Sequence, residues 1–511
     1  MLLQKRTVFL AVVLSGMLWL GGCGKQENEQ ITSIEQLNDP AYTIGVPEGG
    51  AGMYMAEKYL PEAKQKTFSG NSSGYLAISQ GKLDGFVYDR VMMEFAIASG
   101  LEGVELLEEN LGESVDVAVG ISPKSQIDNL EDKVNRFLAE ARAEGRLDDM
   151  YERWVSRAEG TMPEIPVPKA PDCKLKVGTT GMVQPFSYYE GTTLTGYDVE
   201  LIYRFAAWLN AEVEIKIYDY DGIIAAAQAG DIDCIMANLN ATEERRRHIA
   251  FSDCVYPSET AVMIRSGQGS GMFLEKGFWA GLEDSFRSTF VVEGRWRLIL
   301  QGLGVTILIS VFSGFFGLCL GFGICMLRRT GYRSMRLLGA VFVRVIQGMP
   351  IVVLLMILYY GIFGSVDISE VLAAVIGFSI NFAAYSSEMM RAGIETVDKG
   401  QSEAALAMGY TKRQTFFKIV FPQAAGNFIP VLKGEFISMV KMTSVVGYIA
   451  VQDLTKVSDI IRSRTMEAFF PLIVTAVIYF AVANVMTAAL SFAEKKAAPK
   501  RSKRCVKGVC M

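Results

Sequence analysis

The residue types that most often hold metals or act as nucleophiles are scarce here. His248 is the only histidine, and the eight cysteines show neither zinc-ligand nor redox spacing, so no catalytic metal is expected. No Gly-x-x-x-x-Gly-Lys-Ser/Thr run occurs, which removes the backbone cradle and lysine that hold nucleotide phosphates. The chain is expected to be no enzyme, to carry no cofactor and to hydrolyse no ATP itself. Recognition chemistry remains, and its clearest local signal is Glu403-Ala404-Ala405-Leu406-Ala407-Met408-Gly409, running on to Phe421-Pro422. Asp398 with Gln401 and Thr411 with Gln414 have capping-box spacing, Gly409 suits a left-handed stop, and Pro422 closes the unit. This pattern predicts two short helices, with Ala404 and Ala405 leaving room for close docking. An ordinary helical hairpin would share the same caps.

At 511 residues the chain exceeds the roughly 250–300 residues of a single core, so two or three units are expected. Of its 50 Lys/Arg and 55 Asp/Glu, 23 and 11 lie from Arg297 onward, leaving 27 and 44 before it. An acidic front and a basic, apolar back point to water-facing and membrane-facing parts, and exclude nucleic acid as the expected partner. Lys5 and Arg6 precede an apolar run from Val8 to Leu20, long enough for a signal-peptide core and short for a spanning helix. Short apolar runs alternate with helical patterns over 31–158 and again over 173–266, predicting two α/β lobes. Between them, 159–172 carries Pro163, Pro166, Pro168 and Pro171, a density that favours an extended connector. Each lobe contains the same device, Ala77–Asp84 and Ala226–Asp233, which reads as helix, glycine stop and strand. Cys234 and Cys254 share a lobe, and either a disulfide or two buried thiols fits the sequence.

Residues 267–297 read as a linker with a surface-lying helix, because Phe278, Trp279, Phe286, Phe290 and Trp296 suit a membrane–water interface. Uncharged segments Leu298–Leu327, Val345–Val366, Val371–Ser387 and Ala468–Ala493 approach the ~20 residues of a span. Another, Ala425–Ala450, is interrupted by Lys433, Glu435 and Lys441. Arginines and lysines follow the first and third spans and fill the 494–511 tail. Cytoplasmic loops favour Lys and Arg, so five spans with an outside start and an inside finish are expected. Lys433 and Glu435 stand about 200° apart on an ideal helix, so the three charges do not share one face.

Resemblances to known families rest on these residues. Leu20-Gly21-Gly22-Cys23 resembles the lipobox of bacterial lipoproteins, which implies removal of 1–23 up to a lipidated Cys23; an uncleaved anchor with an incidental cysteine is the plainer alternative. The lobes resemble the solute-binding proteins of polar amino-acid importers. Gln184–Ser187, Gly196–Val199 and Ala241–Arg245 look like that family's first lobe, whereas Ser33–Leu37 and Gly145–Trp154 look like its second. The implied fold is a two-lobed, type 2-like periplasmic-binding-protein domain in circularly permuted order, the rival being two separate degenerate domains. Residues 403–422 match the EAA loop of ABC importer permeases. Arg344–Pro350, Arg391–Ile394 and Phe436–Ser444 are similar to the polar amino-acid branch. That resemblance covers Trp296–Ala493 and implies an all-α, five-span type I ABC importer transmembrane domain at 298–493. It further implies a homodimer in the bacterial inner membrane, the lobes outside, the C-terminus cytoplasmic. A separate ATP-binding subunit would dock on Glu403, Ala404, Ala405, Gly409 and Pro422.

The binding-protein resemblance also implies one amino-acid-like solute site shared by both lobes. Arg245 takes the carboxylate with its planar donor fork, Asp89 accepts from the ammonium, and Tyr220 packs on the solute side chain, with Phe186, Asn238 and Asn240 in support. The ordinary readings are surface salt bridges for Arg245, core packing for Phe186 and loop capping for the asparagines. Val183 stands where the family has an aromatic, and Glu48-Gly49-Gly50-Ala51 replaces a threonine-bearing loop, which leaves specificity open. A ligand-gated channel also joins a bilobed domain to helices, but its membrane segment is inserted between the lobes and no selectivity-filter run is visible here.

Overall fold

The structure, a computed structural model, describes residues 31–47, 50–68, 71–157, 160–266, 278–364, 366, 368–465, 467 and 469–497. The signal segment with Cys23, Glu48 and Gly49, and the end of the basic tail lie outside them. Two five-stranded sheets form the first half. One joins β1 (Thr43–Pro47), β2 (Lys64–Phe68), β3 (Gly85–Asp89), β4 (Val104–Asn110) and β13 (Thr260–Arg265) in the order β2-β1-β3-β13-β4. The other joins β5 (Val115–Ile121), β6 (Cys173–Thr179), β10 (Ala211–Ile217), β11 (Cys234–Ile235) and β12 (Ala250–Ser258) in the order β10-β6-β11-β5-β12. In both, three parallel strands are followed by one that runs against them and by an edge strand antiparallel to that one. A small antiparallel sheet, β7 (Met182–Val183), β8 (Ser187–Glu190) and β9 (Thr193–Thr195), flanks the second.

The repeated device lies at equivalent places. Helix α1 (Asn71–Ser79) runs through Gly81 into β3, and α5 (Tyr220–Ala229) through Gly230 into β11. Both glycines are left-handed, with φ of 63° and 86°, where a Cβ would be strained.

The sheets correct the expected lobe bounds of 31–158 and 173–266. β5 and α3 (Leu130–Ala143) belong to the first sequence segment but pack into the core under β6. β13 belongs to the second segment and pairs with β3 and β4. The chain therefore crosses between sheets twice, between β4 and β5 and between β12 and β13. The apolar run Val117–Ile121 of β5 is buried on both faces; no period in it says which sheet buries it. Cys234 and Cys254 remain free thiols. They sit on β11 and β12, on either side of β5, and two strand spacings of about 4.8 Å exceed disulfide reach.

The second half is helical. α6 (Trp296–Arg328), α9 (Glu370–Glu395) and α14 (Phe470–Ala497) are long and apolar enough to cross a membrane, and five spans result if each of two bent helix pairs counts as one. The first pair, α7 (Arg333–Gln347) with α8 (Ile351–Met356) and its continuation to Ile362, bends by 111°. The expected span Val345–Val366 is thus broken within its first turn, where Pro350 lacks an N–H and disfavours helix at Met349. The second pair bends by 59° between the segment ending at Ile449, which includes α12 (Phe421–Met442), and α13 (Leu454–Thr465). Small residues let α6 and α9 approach closely: a Cβ on Gly317 would stand 2.9 Å from the Ser379 carbonyl oxygen, the packing favoured between apolar helices. Ahead of α6, the helix Phe278–Phe286 leaves Trp279 77% exposed.

Candidate functional site

Local capping places Arg245. Thr242 caps the short helix Glu243–Arg246 by accepting from the Arg245 N–H at 3.4 Å, which turns Arg245 inward while Arg246 and Arg247 stay exposed. Its guanidinium donates to the Asn240 carbonyl oxygen at 2.9 Å and stands 5.1 Å from the centre of the Tyr220 ring. Only 7% of Arg245 is exposed, so the surface salt-bridge reading does not hold. Tyr220 opens α5 directly after its N-cap residue Asp219.

Asp89 ends β3 and caps α2 (Arg90–Ala98), accepting from the Met92 N–H at 3.4 Å and from the Ser258 hydroxyl. Ser258 is the last residue of β12, so this bond joins the two sheets at a crossing. Burial pushes the Asp89 carboxyl up to about 6, against the opposing pull of Ser258, the Met92 and Val91 N–H groups and the Asn238 side chain. Asn238 has a left-handed φ of 49°. Its N–H donates to Asp198 at 2.8 Å and its side-chain oxygen accepts from the Tyr256 hydroxyl. Burial likewise lifts Asp198, in α4 (Tyr197–Leu209), to about 7. Phe186 is fully buried, stacked on Tyr256 with ring centres 5.4 Å apart and edge-on to Tyr197. It packs behind the asparagine network and is not among the residues lining the cavity between the sheets. Asn240 contributes its carbonyl.

Between the sheets lies a cavity of about 160 Å³, lined by Gly50 and Asn71 on one side, Val183 on the other, and Tyr88 and Tyr220 between. Neither Asp89 nor Arg245 lines it: Arg245 lies against the Tyr220 ring and Asp89 follows Tyr88 in β3, while burial raises the Tyr88 hydroxyl pKa. Tyr88 and Ser258 escaped the sequence reading. Tyr88 neighbours Asp89 in β3, but nothing in the alternation of a strand says which lobe its ring will meet.

The two halves meet through buried charges. Lys216 of β10 pairs with Asp231 at 2.6 Å and with Glu370 of α9 at 2.9 Å, and the Tyr359 hydroxyl donates to Asp231 at 2.7 Å. Burial alone would lower the Lys216 ammonium pKa; the two carboxylates outweigh it and hold it above its ordinary value. Lys456 of α13 pairs with Asp219, and Arg464 bonds Gln184 and covers the Tyr188 ring at 4.7 Å.

The hairpin at 403–422 sits at the far end of α6. Leu298 and Ile299 pack beside Leu454, next to the lobes, whereas Arg329, just past the other end, lies 5.8 Å from the Phe416 ring. The 33 residues of α6 separate the two places by roughly 50 Å at ~1.5 Å per residue. α10 (Lys399–Ala407) is capped by Asp398, which accepts from the Gly400 N–H at 2.7 Å. No reciprocal bond from Gln401 forms among the described residues, so the first expected capping box is a simple cap. The second is present in full at α11 (Lys412–Thr415), through Thr411 and Gln414. Gly409 has φ +87° with open space around it, and Pro422 lies in the first turn of α12. Ala405 is buried; Glu403 and Ala404 are exposed beside Leu406, Met408 and Phe417. This is an apolar, solvent-facing knob with a rigid frame. Lys433 reaches Ser491 at 3.4 Å, Glu435 is half-buried and Lys441 exposed, so these charges occupy different surroundings.

Comparison with known proteins places the helical half. The family profile described as "Binding-protein-dependent transport system inner membrane component" matches residues 305–497. The probable amino-acid ABC transporter permease protein YckA of Bacillus subtilis is 35% identical over 41% of this chain and 93% of its own length. The arginine transport system permease protein ArtQ of the same organism is 34% identical over 37% and 87%. A putative glutamine transport system permease protein GlnP of Rickettsia felis is 33% identical over 39% and 92%. A crystal structure of an amino acid ABC transporter with histidines shares 31% identity, covers 44% of this chain and 100% of that one, and superposes with a TM-score of 0.38.

Proposed function

Because this chain belongs to the family of amino-acid ABC transporter permeases, we propose that it is the combined solute-binding and membrane-permease subunit of an ATP-driven importer for a polar amino acid. The observation that carries this reading is the inter-lobe cavity held against the permease half, with the 403–422 hairpin roughly 50 Å away at the other end of α6. Solute recognition and energy input then occupy opposite faces of one multi-pass protein. Arg245 takes the solute carboxylate and Asp89 its ammonium, each a charge-assisted bond in a buried setting. Tyr220 and Tyr88 supply the apolar walls. Relatives named for glutamine, arginine and L-cystine transport support the solute class.

ATP is hydrolysed by a separate subunit that docks on the knob of Ala404, Leu406, Met408 and Phe417, framed by Glu403, Gly409 and Pro422. The permease pairs with a second copy to complete the pathway. The lobes lie outside the cell membrane, tethered by a lipid on Cys23 after loss of the signal segment, and the C-terminal tail is cytoplasmic, in line with its lysines and arginines. Lys216, bridging Asp231 and Glu370, holds the lobes on the membrane part.

The deciding experiment is a thermal-shift screen of the purified full chain in lipid nanodiscs against the twenty amino acids. Stabilisation by a subset of polar amino acids, absent in Arg245→Ala, supports the reading. Failure of every amino acid to stabilise the chain rejects it.

A further inference from the structure

We propose that helix α13 of the permease half forms the wall of the cavity that reads the solute side chain, with Arg462 and Asp459 as specificity-determining residues. The proposal rests on the reading of the cavity as the solute site. Asp459, Arg462 and Ser463 line that cavity together with Tyr88, Tyr220 and Val183. Their spacing of three and four residues sets them on one helical face. That face is pinned from both sides. One turn earlier, Lys456 pairs with Asp219 of the α5 cap. One residue later, Arg464 bonds Gln184, covers Tyr188, and pairs with Glu293 at 2.8 Å.

The groups proposed to take the two charged ends of an amino acid adjoin the cavity without lining it: Arg245 lies against the Tyr220 ring and Asp89 follows Tyr88 in β3. A solute anchored there extends its side chain toward Val183 and α13. Val183 is smaller than the aromatic that the binding-protein family places there, which leaves the approach to α13 open. Arg462 donates from Nη1 to Asp459 Oδ1 at 2.9 Å, and both residues line the cavity. Asp459 keeps its second oxygen as an acceptor. The wall thus offers a donor beside an acceptor, which fits a side-chain carboxamide and offers nothing to an aliphatic chain.

The test is equilibrium binding of radiolabelled L-glutamine and L-leucine to the full chain in nanodiscs. Wild-type protein is expected to favour L-glutamine by about tenfold or more, because a site built to hydrogen-bond rejects an analogue that leaves its groups unpaired. Arg462→Met should lower L-glutamine affinity about tenfold and leave L-leucine within about twofold. Asp459→Asn should act in the same direction. Arg462→Lys, which keeps the charge but not the planar donor fork, should still lose the preference. If Arg462 and Asp459 only brace α13, their variants will shift both probes together or neither, and either result overturns the proposal, as does a wild type without preference. Arg245→Ala should weaken both probes equally. Unchanged binding in that variant overturns the cavity reading itself, which separates the two failures.

Discussion

The 403–422 hairpin and the inter-lobe cavity are built in opposite ways. In the hairpin, twenty consecutive residues carry their own caps, stop and proline, and the fold only presents them. In the cavity, Tyr88, Val183 and Tyr220 come from three distant stretches, and α13 adds a fourth from the other half of the molecule. A contiguous site fails one local signal at a time. A composite site fails when any one contributor is lost, because each leaves a buried partner unsatisfied.

The largest expected effect tests that dependence. Arg245→Ala and Asp89→Ala should each cost about 2–5 kcal/mol of solute binding, or affinity losses of tens to thousands at ~1.4 kcal/mol per decade. Calorimetry on the folded full chain checks this, and near-normal affinity in either variant breaks the composite picture. In the hairpin, Gly409→Val forces a β-branched residue into a left-handed turn at about 1–2 kcal/mol, with no clash to confuse the result since nothing lies within 4 Å of the added Cβ. Coupled ATP hydrolysis by the partner subunit should fall while solute affinity stays put. A joint loss of both activities would show that the two regions are not independent.

Protonation gives a smaller and more selective probe. Asp89 titrates at about 6 in the folded chain, above its unfolded value of about 3.9, and must be ionised to accept from an ammonium. Solute affinity should therefore fall by up to about tenfold per pH unit below 6, with no such decline in Asp89→Asn. The same raised pKa makes the ionised carboxylate a burden on the empty protein. Stability from the protonated form is complete below about 3.9 and lost as pH rises through 6, so Asp89→Asn should raise the empty protein's Tm at pH 7.5, and the gain should vanish toward pH 4. Asp198, at about 7, adds a similar acid-side stabilisation that this variant retains. The smallest effect belongs to the hairpin: Thr411→Ala removes a cap worth about 1 kcal/mol. It should speed amide exchange in α11 and leave the cavity untouched.

The same contrast explains what could be read in advance. The Thr411–Gln414 box, the Gly409 stop and the Gly81 and Gly230 turns follow from short-range sterics and hydrogen bonding, so their residues announce them. Asp398 with Gln401 had the same spacing, yet the second bond did not form, since spacing permits a cap without compelling it. Arg245 and Asp89 came into view only through resemblance to a family; both are buried, and neither lines the inter-lobe cavity. Tyr88, Ser258 and Arg462 gave no signal of their own.

The sequence by itself determined the acidic α/β front and the basic helical back, the glycine and proline punctuation, and the hairpin, because each depends on neighbours within a few residues or on composition. Tertiary structure alone decided that β5 crosses into the second sheet and β13 into the first, that Cys234 and Cys254 lie beyond bonding distance, and that α13 closes the cavity. The physical reason is range: apolar periodicity states how much of an element is buried, whereas the partner that buries it is chosen by the packing of the whole chain.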